Sequence, residues 1–342
     1  MNIPYRTRRA LRRLGVALAA LLVLAVAVWL CWVVWLERYV VYSREGARLD
    51  FSRTVDESAA VPALPADGGA TVSIYINEGN DAVNTSTELA QLVGYYIDTE
   101  MLKDLPAVRS QLDIISSSSA VMIDVKDIYG DFYYDTNVSG APKSAVVDTA
   151  AVSKLIAELS SSGHYLIARF PAFRDFGYVL EHHASDFIGI PVAGEGYAWT
   201  DDEGCYWLNL ERSGAISYVI QIVNELKVLG FDEVVLADFD YPTDPDAESA
   251  ADREGSIASA AASIAQSCAT STFAVSFVGD SDFPLPQGRC RLYVEDISAA
   301  DAKRAAEATG LADPLIYVVF LTNVNDTRFN DYSVLRPLDA AH

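Results

Sequence analysis

Acidic residues gather at the ends of several short apolar runs. Asp124 closes the run VMID, with Lys126 and Asp127 just beyond it; Arg169 lies in LIARF, with Arg174 and Asp175 a few residues on. Asp238 and Asp240 follow VVLA, and Glu295 and Asp296 follow RLYV. Alternate side chains of an extended run share a face, so Asp124 goes with Lys126, and Asp238 with Asp240. Two carboxylates that converge from separate strands, one kept protonated and one ionised, can protonate a leaving oxygen and assist attack at an acetal carbon. That is the chemistry of glycosidic bond cleavage. The catalytic candidates are therefore Asp124, Asp238 and Asp240, with Glu295 in reserve, and Lys126 and Arg169 are placed to tune their charge. An Asp at a strand end has a plainer use, as a helix cap or an ion-pair partner, and Lys126 reads first as such a partner. Tyr129, Phe132, Tyr133, Tyr134, Trp199 and Trp207 would serve as sugar platforms at a cleft and as core elsewhere. His182 and His183 have no ligand spacing and read as surface residues. No HExxH pair or DxDxDG loop occurs, so no metal or other cofactor is implied.

These side chains must be presented by something, and the apolar runs number eight. They begin at Leu92, Ala120, His164, Asp186, Glu233, Thr272, Cys290 and Leu315. Helix-like stretches such as TAAVSKLIAELSSSG, AISYVIQIVNELKVLG and SIASAAASIAQS lie between several of them. That alternation predicts βα units around a parallel sheet. From Leu92 to the last residue the chain has 251 residues, close to the roughly 250 of a (β/α)8 barrel, whose active site lies at the C-terminal strand ends. A doubly wound open sheet is the competing arrangement. No glycine-rich phosphate loop follows any run, which counts against a nucleotide site.

The N-terminal part has a different character. Residues 15–36 are 22 uncharged, mostly apolar residues, long enough to form a transmembrane helix. Arg6, Arg8, Arg9, Arg12 and Arg13 precede them, which predicts a cytoplasmic N-terminus (residues 1–14) and a single-pass protein of the cell membrane. Trp29, Trp32 and Trp35 at the far end suit a membrane interface better than a signal-peptide cleavage site. Residues 37–70 read as a stalk or linker, and residues 71–342 as one extracytoplasmic domain. Of the net charge of −22, residues 1–40 carry +5, leaving −27 outside. Such a surface repels nucleic acid and anionic membranes. Cys268 and Cys290 are a candidate disulfide for an oxidising compartment.

Four segments, VMIDVKDIYGDFYY (121–134), HYLIARFPAFRD (164–175), YWLNL (206–210) and GFDEVVLADFDYP (230–242), resemble in order and spacing a bacterial glycoside-hydrolase-like family grouped with the glycosidase (β/α)8 barrels. The resemblance implies an enzyme that acts on polysaccharide of the cell envelope or outside it. It implies roles in substrate binding for Lys126, Asp127, Arg169, Asp175, Trp207 and Asn209. The fourth block departs from the family: Ala237 stands where the family has an Asp, and Asp240 where it has an Arg. Either the acid has moved along to Asp238, or the barrel has lost its chemistry and only binds glycan or a partner protein. The stretch DFDYP is also similar to the DWEYP end of glycoside hydrolase family 18, which would make Asp240 the acid.

Overall fold

Apolar runs buried on both faces become parallel strands, and the runs here are buried almost end to end. Ala120–Asp124 is buried at its first four positions, and Leu166–Pro171 at all but Arg169. The computed structural model describes residues 40–43, 46–49, 89–248 and 250–340. Two short strands, β1 (Val40–Ser43) and β2 (Gly46–Leu49), pair antiparallel in the unit Met1–Asp81. The apolar run 15–36 lies outside the described residues, and among those described no helix is long and apolar enough to cross a membrane.

The unit Ala82–His342 holds eight parallel strands closed into a barrel. They are β3 (Val93–Ile97), β4 (Ala120–Asp124), β5 (Leu166–Pro171), β6 (Glu233–Ala237), β7 (Ala274–Val278), β8 (Leu292–Val294), β9 (Val318–Leu321) and β10 (Ser333–Pro337). The strands follow one another around the barrel, and β10 closes it by pairing with both β9 and β3. The expected helices form as α2 (Thr149–Ser162), α4 (Ser213–Val228) and α5 (Arg253–Cys268), with α1 (Leu105–Leu112) and α3 (Phe176–Asp186) besides. Aspartates cap four of these five: Asp104, Asp148, Asp175 and Asp252 each accept a backbone N–H of the first turn.

The count of eight strands holds, but one member differs from expectation. The run from Asp186 is not a barrel strand; it follows α3 and makes only isolated bridges, Gly189 with Leu208, Pro191 with Ala198 and Val192 with Ala247. Pro191 has no N–H to give a ladder, and a Cβ at Gly189 would lie 2.6 Å from Val179 Cγ1. The eighth strand is instead SVLRP, whose two apolar residues are flanked by Ser333, Arg336 and Pro337 and form no apolar run. Cys268 and Cys290 are not joined; both are free and buried, and Cys290 Sγ donates to the Pro286 carbonyl at 3.3 Å.

The barrel interior closes near the start of its strands. Glu233 is fully buried there, ion-paired to Arg291 and accepting from the hydroxyls of Ser276 (2.5 Å), Tyr165 (2.9 Å) and Tyr293 (3.0 Å). Above this network Met122, Ile167, Val235, Tyr293 and Val319 fill the middle layer. The polar side chains that point inward above that layer form the mouth.

Candidate active site

Strand alternation sets the mouth. Met122, Ile167, Val235 and Tyr293 point into the barrel, so Asp124, Arg169, Ala237 and Glu295, two residues further along β4, β5 and β6 and just past the end of β8, form the next layer inward. Asp124 and Arg169 are direct partners in the β4–β5 register. The guanidinium binds the carboxylate with two parallel hydrogen bonds, Nε to Oδ1 and Nη2 to Oδ2, each 2.7 Å. Its remaining Nη1 reaches Glu295, so one arginine joins acids from two strand ends. Burial works against the Arg169 charge, but Asp124 and Glu295 outweigh it and hold the guanidinium protonated. Tyr96 of β3 lies under the same guanidinium, 6.0 Å from ring centre to Cζ.

Asp238 follows the last interior position of β6 with φ 46°, in the left-handed region. Few residues other than glycine adopt that conformation, Asp and Asn being the least disfavoured. Its carboxylate has no hydrogen-bond or ion-pair partner among the described residues. Burial pushes its pKa above the ordinary Asp value, against the pull of Arg174, Lys126 and Arg169. Glu295 is raised as well, first by burial and then by Asp124, Asp238 and Asp296, with Arg169 opposing. Asp238 and Glu295, both shifted upward by burial, thus lie near the arginine that Asp124 and Glu295 bind, and shifted carboxylates of this kind gather at reactive sites. Asp296 repeats the left-handed backbone beside Glu295, with φ 52°.

A second group lies beside Asp238. Arg174 Nε donates to Asp201 Oδ2 at 2.6 Å, its Nη2 is 3.1 Å from Glu203, and Trp207 Nε1 donates to the same Asp201 oxygen at 2.9 Å. Trp207 is therefore held at the mouth, partly exposed. Asp201 escaped the sequence reading, because its loop, TDDEGCYW, has no period and no motif to mark it.

The other candidates sit elsewhere. Lys126 and Asp175 are fully buried and paired to each other at 2.9 Å, and Lys126 also donates to the Pro171 carbonyl. Asp175 caps α3 and accepts from Tyr218 Oη at 2.9 Å. Neither side chain is open to a ligand; both brace the rim from beneath. Asp127 accepts from the amides of Tyr129 and Asp131 and so folds its own turn. Asn209 is buried, and its side chain accepts from the Glu211 amide at 2.9 Å. Asp240 is turned to Arg253 at the start of α5, 2.6 Å away, and to the Tyr241 amide. Phe132, Tyr133, Tyr134 and Trp199 are core, and His183, expected at the surface, is buried and accepts from the Gly189 amide at 3.2 Å.

Residues 94–275 match the model of a family described as "Putative glycosyl hydrolase domain". No curated protein matches the sequence. Among solved structures, a hypothetical protein from Ruminiclostridium thermocellum is 18% identical, covering 54% of this chain and 96% of its own, with a TM-score of 0.46. Ega3 of Aspergillus fumigatus, solved with galactosamine, is 11% identical over 74% of this chain and 95% of its own, at 0.45. The glycoside hydrolase domain of PelA from Pseudomonas aeruginosa is 12% identical over 74% and 97%, at 0.44.

Proposed function

This chain belongs to the family described as "Putative glycosyl hydrolase domain", and we propose that it cleaves glycosidic bonds at the barrel mouth, with Asp238 as the acid and Glu295 as the second carboxylate. The observation that carries this reading is Asp238: a largely buried carboxylate without a partner, next to a cluster of acids gathered on Arg169. Burial favours its protonated form, so it can give a proton to the leaving oxygen as the bond to the anomeric carbon breaks. Glu295 has one oxygen on Arg169 and is the more exposed of that arginine's two partners, 36% against 15% for Asp124. Its free oxygen is the one available to activate water or meet the anomeric carbon. Asp124 keeps Arg169 in place, and Trp207 offers a ring at the edge.

Ala237 supports a second reading, a barrel that binds glycan without cutting it, because the inward position at the end of β6 has no acid. The two are separated on a panel of envelope and extracellular polysaccharides. Under the hydrolase reading the wild type releases reducing ends from at least one of them and Glu295→Gln lowers that rate roughly 100-fold or more, while Ala237→Asp brings no gain. A wild type that binds but releases nothing, and gains activity from Ala237→Asp, would establish the binding reading instead.

We place the barrel outside the cell membrane, tethered by residues 15–36, on the strength of the apolar run and the arginines before it. In cells, the full chain is expected in the membrane fraction, with its barrel digested by protease added from outside. A chain that begins after residue 36 should leave that fraction; retention there would count against a simple tether.

A further inference from the structure

Asp238 has a cation beside it and is not paired with it. Where β5 and β6 end, the Ala172 amide donates to the Ala237 carbonyl at 2.7 Å, and the rings of Phe173 and Phe239 then meet edge to face, 4.8 Å apart. Arg174 and Asp238 are the chain neighbours of those two rings, and Arg174 is the strongest of the charges acting on Asp238. The others are Lys126, Arg169 and Asp201, with Glu295 on the far side of Arg169. Lys126 is committed to buried Asp175, and Arg169 to Asp124 and Glu295. Arg174 is held instead by a loop. Asp201 Oδ1 accepts the amides of Glu203 (3.0 Å) and Cys205 (2.9 Å), which pins the carboxylate to its own turn, while Oδ2 accepts from Arg174 Nε and Trp207 Nε1. The guanidinium lies over the Trp207 ring, 6.0 Å from its centre. The backbones are joined too, Asp175 N to Tyr206 O at 3.0 Å and Leu208 N to Phe173 O at 2.6 Å.

A desolvated carboxylate next to an uncommitted guanidinium forms the ion pair and stays ionised, and an acid so paired has no proton to give. We propose that Asp201 is a positioning residue for the acid: it holds Arg174 against Trp207 and off Asp238, so that Asp238 remains unpaired and keeps the proton it donates. This rests on Asp238 being the acid proposed above. Asp201 touches no reacting atom and acts only through Arg174. Glu203, the other partner of Arg174, is exposed on the same loop and lacks the amide contacts that fix Asp201, so it is the weaker hold.

Asp201→Asn tests this, because Asn keeps an oxygen for the loop amides and loses only the charge that holds Arg174. The readout is the titration midpoint of the Asp238 carboxyl in the full-length chain, followed by carbon-13 NMR of labelled aspartate and identified by the resonance that Asp238→Asn removes. Asp201→Asn is expected to lower that midpoint by about one unit or more, as Arg174 swings to Asp238. In the Arg174→Gln background the same change should have a much smaller effect, and Arg174→Gln alone should raise the midpoint; this second variant carries the test if Asp201→Asn does not fold. On any polysaccharide that the wild type cleaves, the alkaline limb of kcat/KM should move to lower pH with the midpoint, whereas a merely structural role would slow the reaction at every pH and leave the limb in place. The proposal is overturned if Asp201→Asn leaves the midpoint unchanged, if it lowers it equally with and without Arg174, so that Asp201 acts by its own charge alone, or if Arg174→Gln does not raise it. A midpoint that moves as expected in a protein that cleaves nothing would uphold the hold on Arg174 and remove the hydrolase reading. Cleavage that depends on Asp238 with a midpoint and limb indifferent to Asp201 would do the reverse.

Discussion

Replacing Asp238 by Asn is expected to lower glycan hydrolysis by roughly 100-fold or more and, at pH 7, to raise the stability of the folded protein. The first effect follows from losing the proton donor. The second follows from its surroundings. Burial raises the folded-state pKa of Asp238 above the unfolded value, more than Arg174, Lys126 and Arg169 lower it. The native state therefore holds this proton more tightly than the unfolded chain does. The stability gained from that binding is complete below the unfolded Asp value of 3.8 and is lost as pH rises through the folded value. At neutral pH the unfolded chain gives up this proton freely while the fold disfavours the charged form, and Asn, uncharged and at ease with the left-handed backbone, removes that penalty. Thermal denaturation of both proteins from pH 3 to pH 8 checks this: the variant should melt higher at pH 7, with the gap closing towards pH 3. A variant that is inactive but less stable at pH 7 would mean that Asp238 is a structural acid with an unseen partner. An active variant would remove it from the chemistry altogether.

Such a trade, stability given up for a reactive group, is common where activity needs a strained or desolvated side chain. It also marks what could be read from the sequence. Asp124 and Arg169 were each legible as mouth residues, because both lie at the polar ends of apolar runs, but their pairing was not, and Lys126, placed with Asp124 by alternation, turns to Asp175 beyond the strand end. Glu295 was legible for the same reason, as the residue two past Tyr293. Asp238 and Asp240 could not be told apart, since alternation places them on one face while the left-handed turn at Asp238 ends the strand and breaks the alternation. The two side chains then part, one to the arginine cluster and the other to Arg253. Asp201 was illegible because a loop side chain reaches its partner through tertiary packing alone. The eighth strand was hidden because only Val334 and Leu335 in it are apolar, and the run at Asp186 was misleading because burial without a ladder partner looks the same in sequence as burial within one. Motif residues carried a further ambiguity. Lys126, Gly130 and Asp175 look like site residues by their company, yet a Cβ at Gly130 would lie 2.5 Å from Asp175 Oδ1, and Lys126 pairs with that same carboxylate. The two motif blocks are fitted to each other.

That fit predicts the largest loss of stability in the barrel. Lys126→Met leaves the buried Asp175 carboxylate without its cation, with only the Tyr178 amide and the Tyr218 hydroxyl to hold its charge. Removing one member of a buried pair costs about 3–5 kcal/mol, which in a domain of this size lowers the melting temperature by on the order of 10 °C. Asp175→Asn added to Lys126→Met removes the stranded charge while an amide oxygen can still cap α3, so the double variant should recover part of the loss rather than compound it. The consequence for activity differs from that of Asp238→Asn. Asp175 begins the helix that follows Arg174, and Lys126 follows Asp124 by two residues, so loosening the brace moves the arginines on both sides of Asp238 without removing any reacting group. Lys126→Met measured well below its melting temperature should therefore keep its substrate preference and lose rate through displaced geometry, with the double variant regaining some of it. Equal stability of wild type and Lys126→Met would mean that the pair contributes nothing net. Loss of all activity at full stability would move Lys126 from the brace into the site.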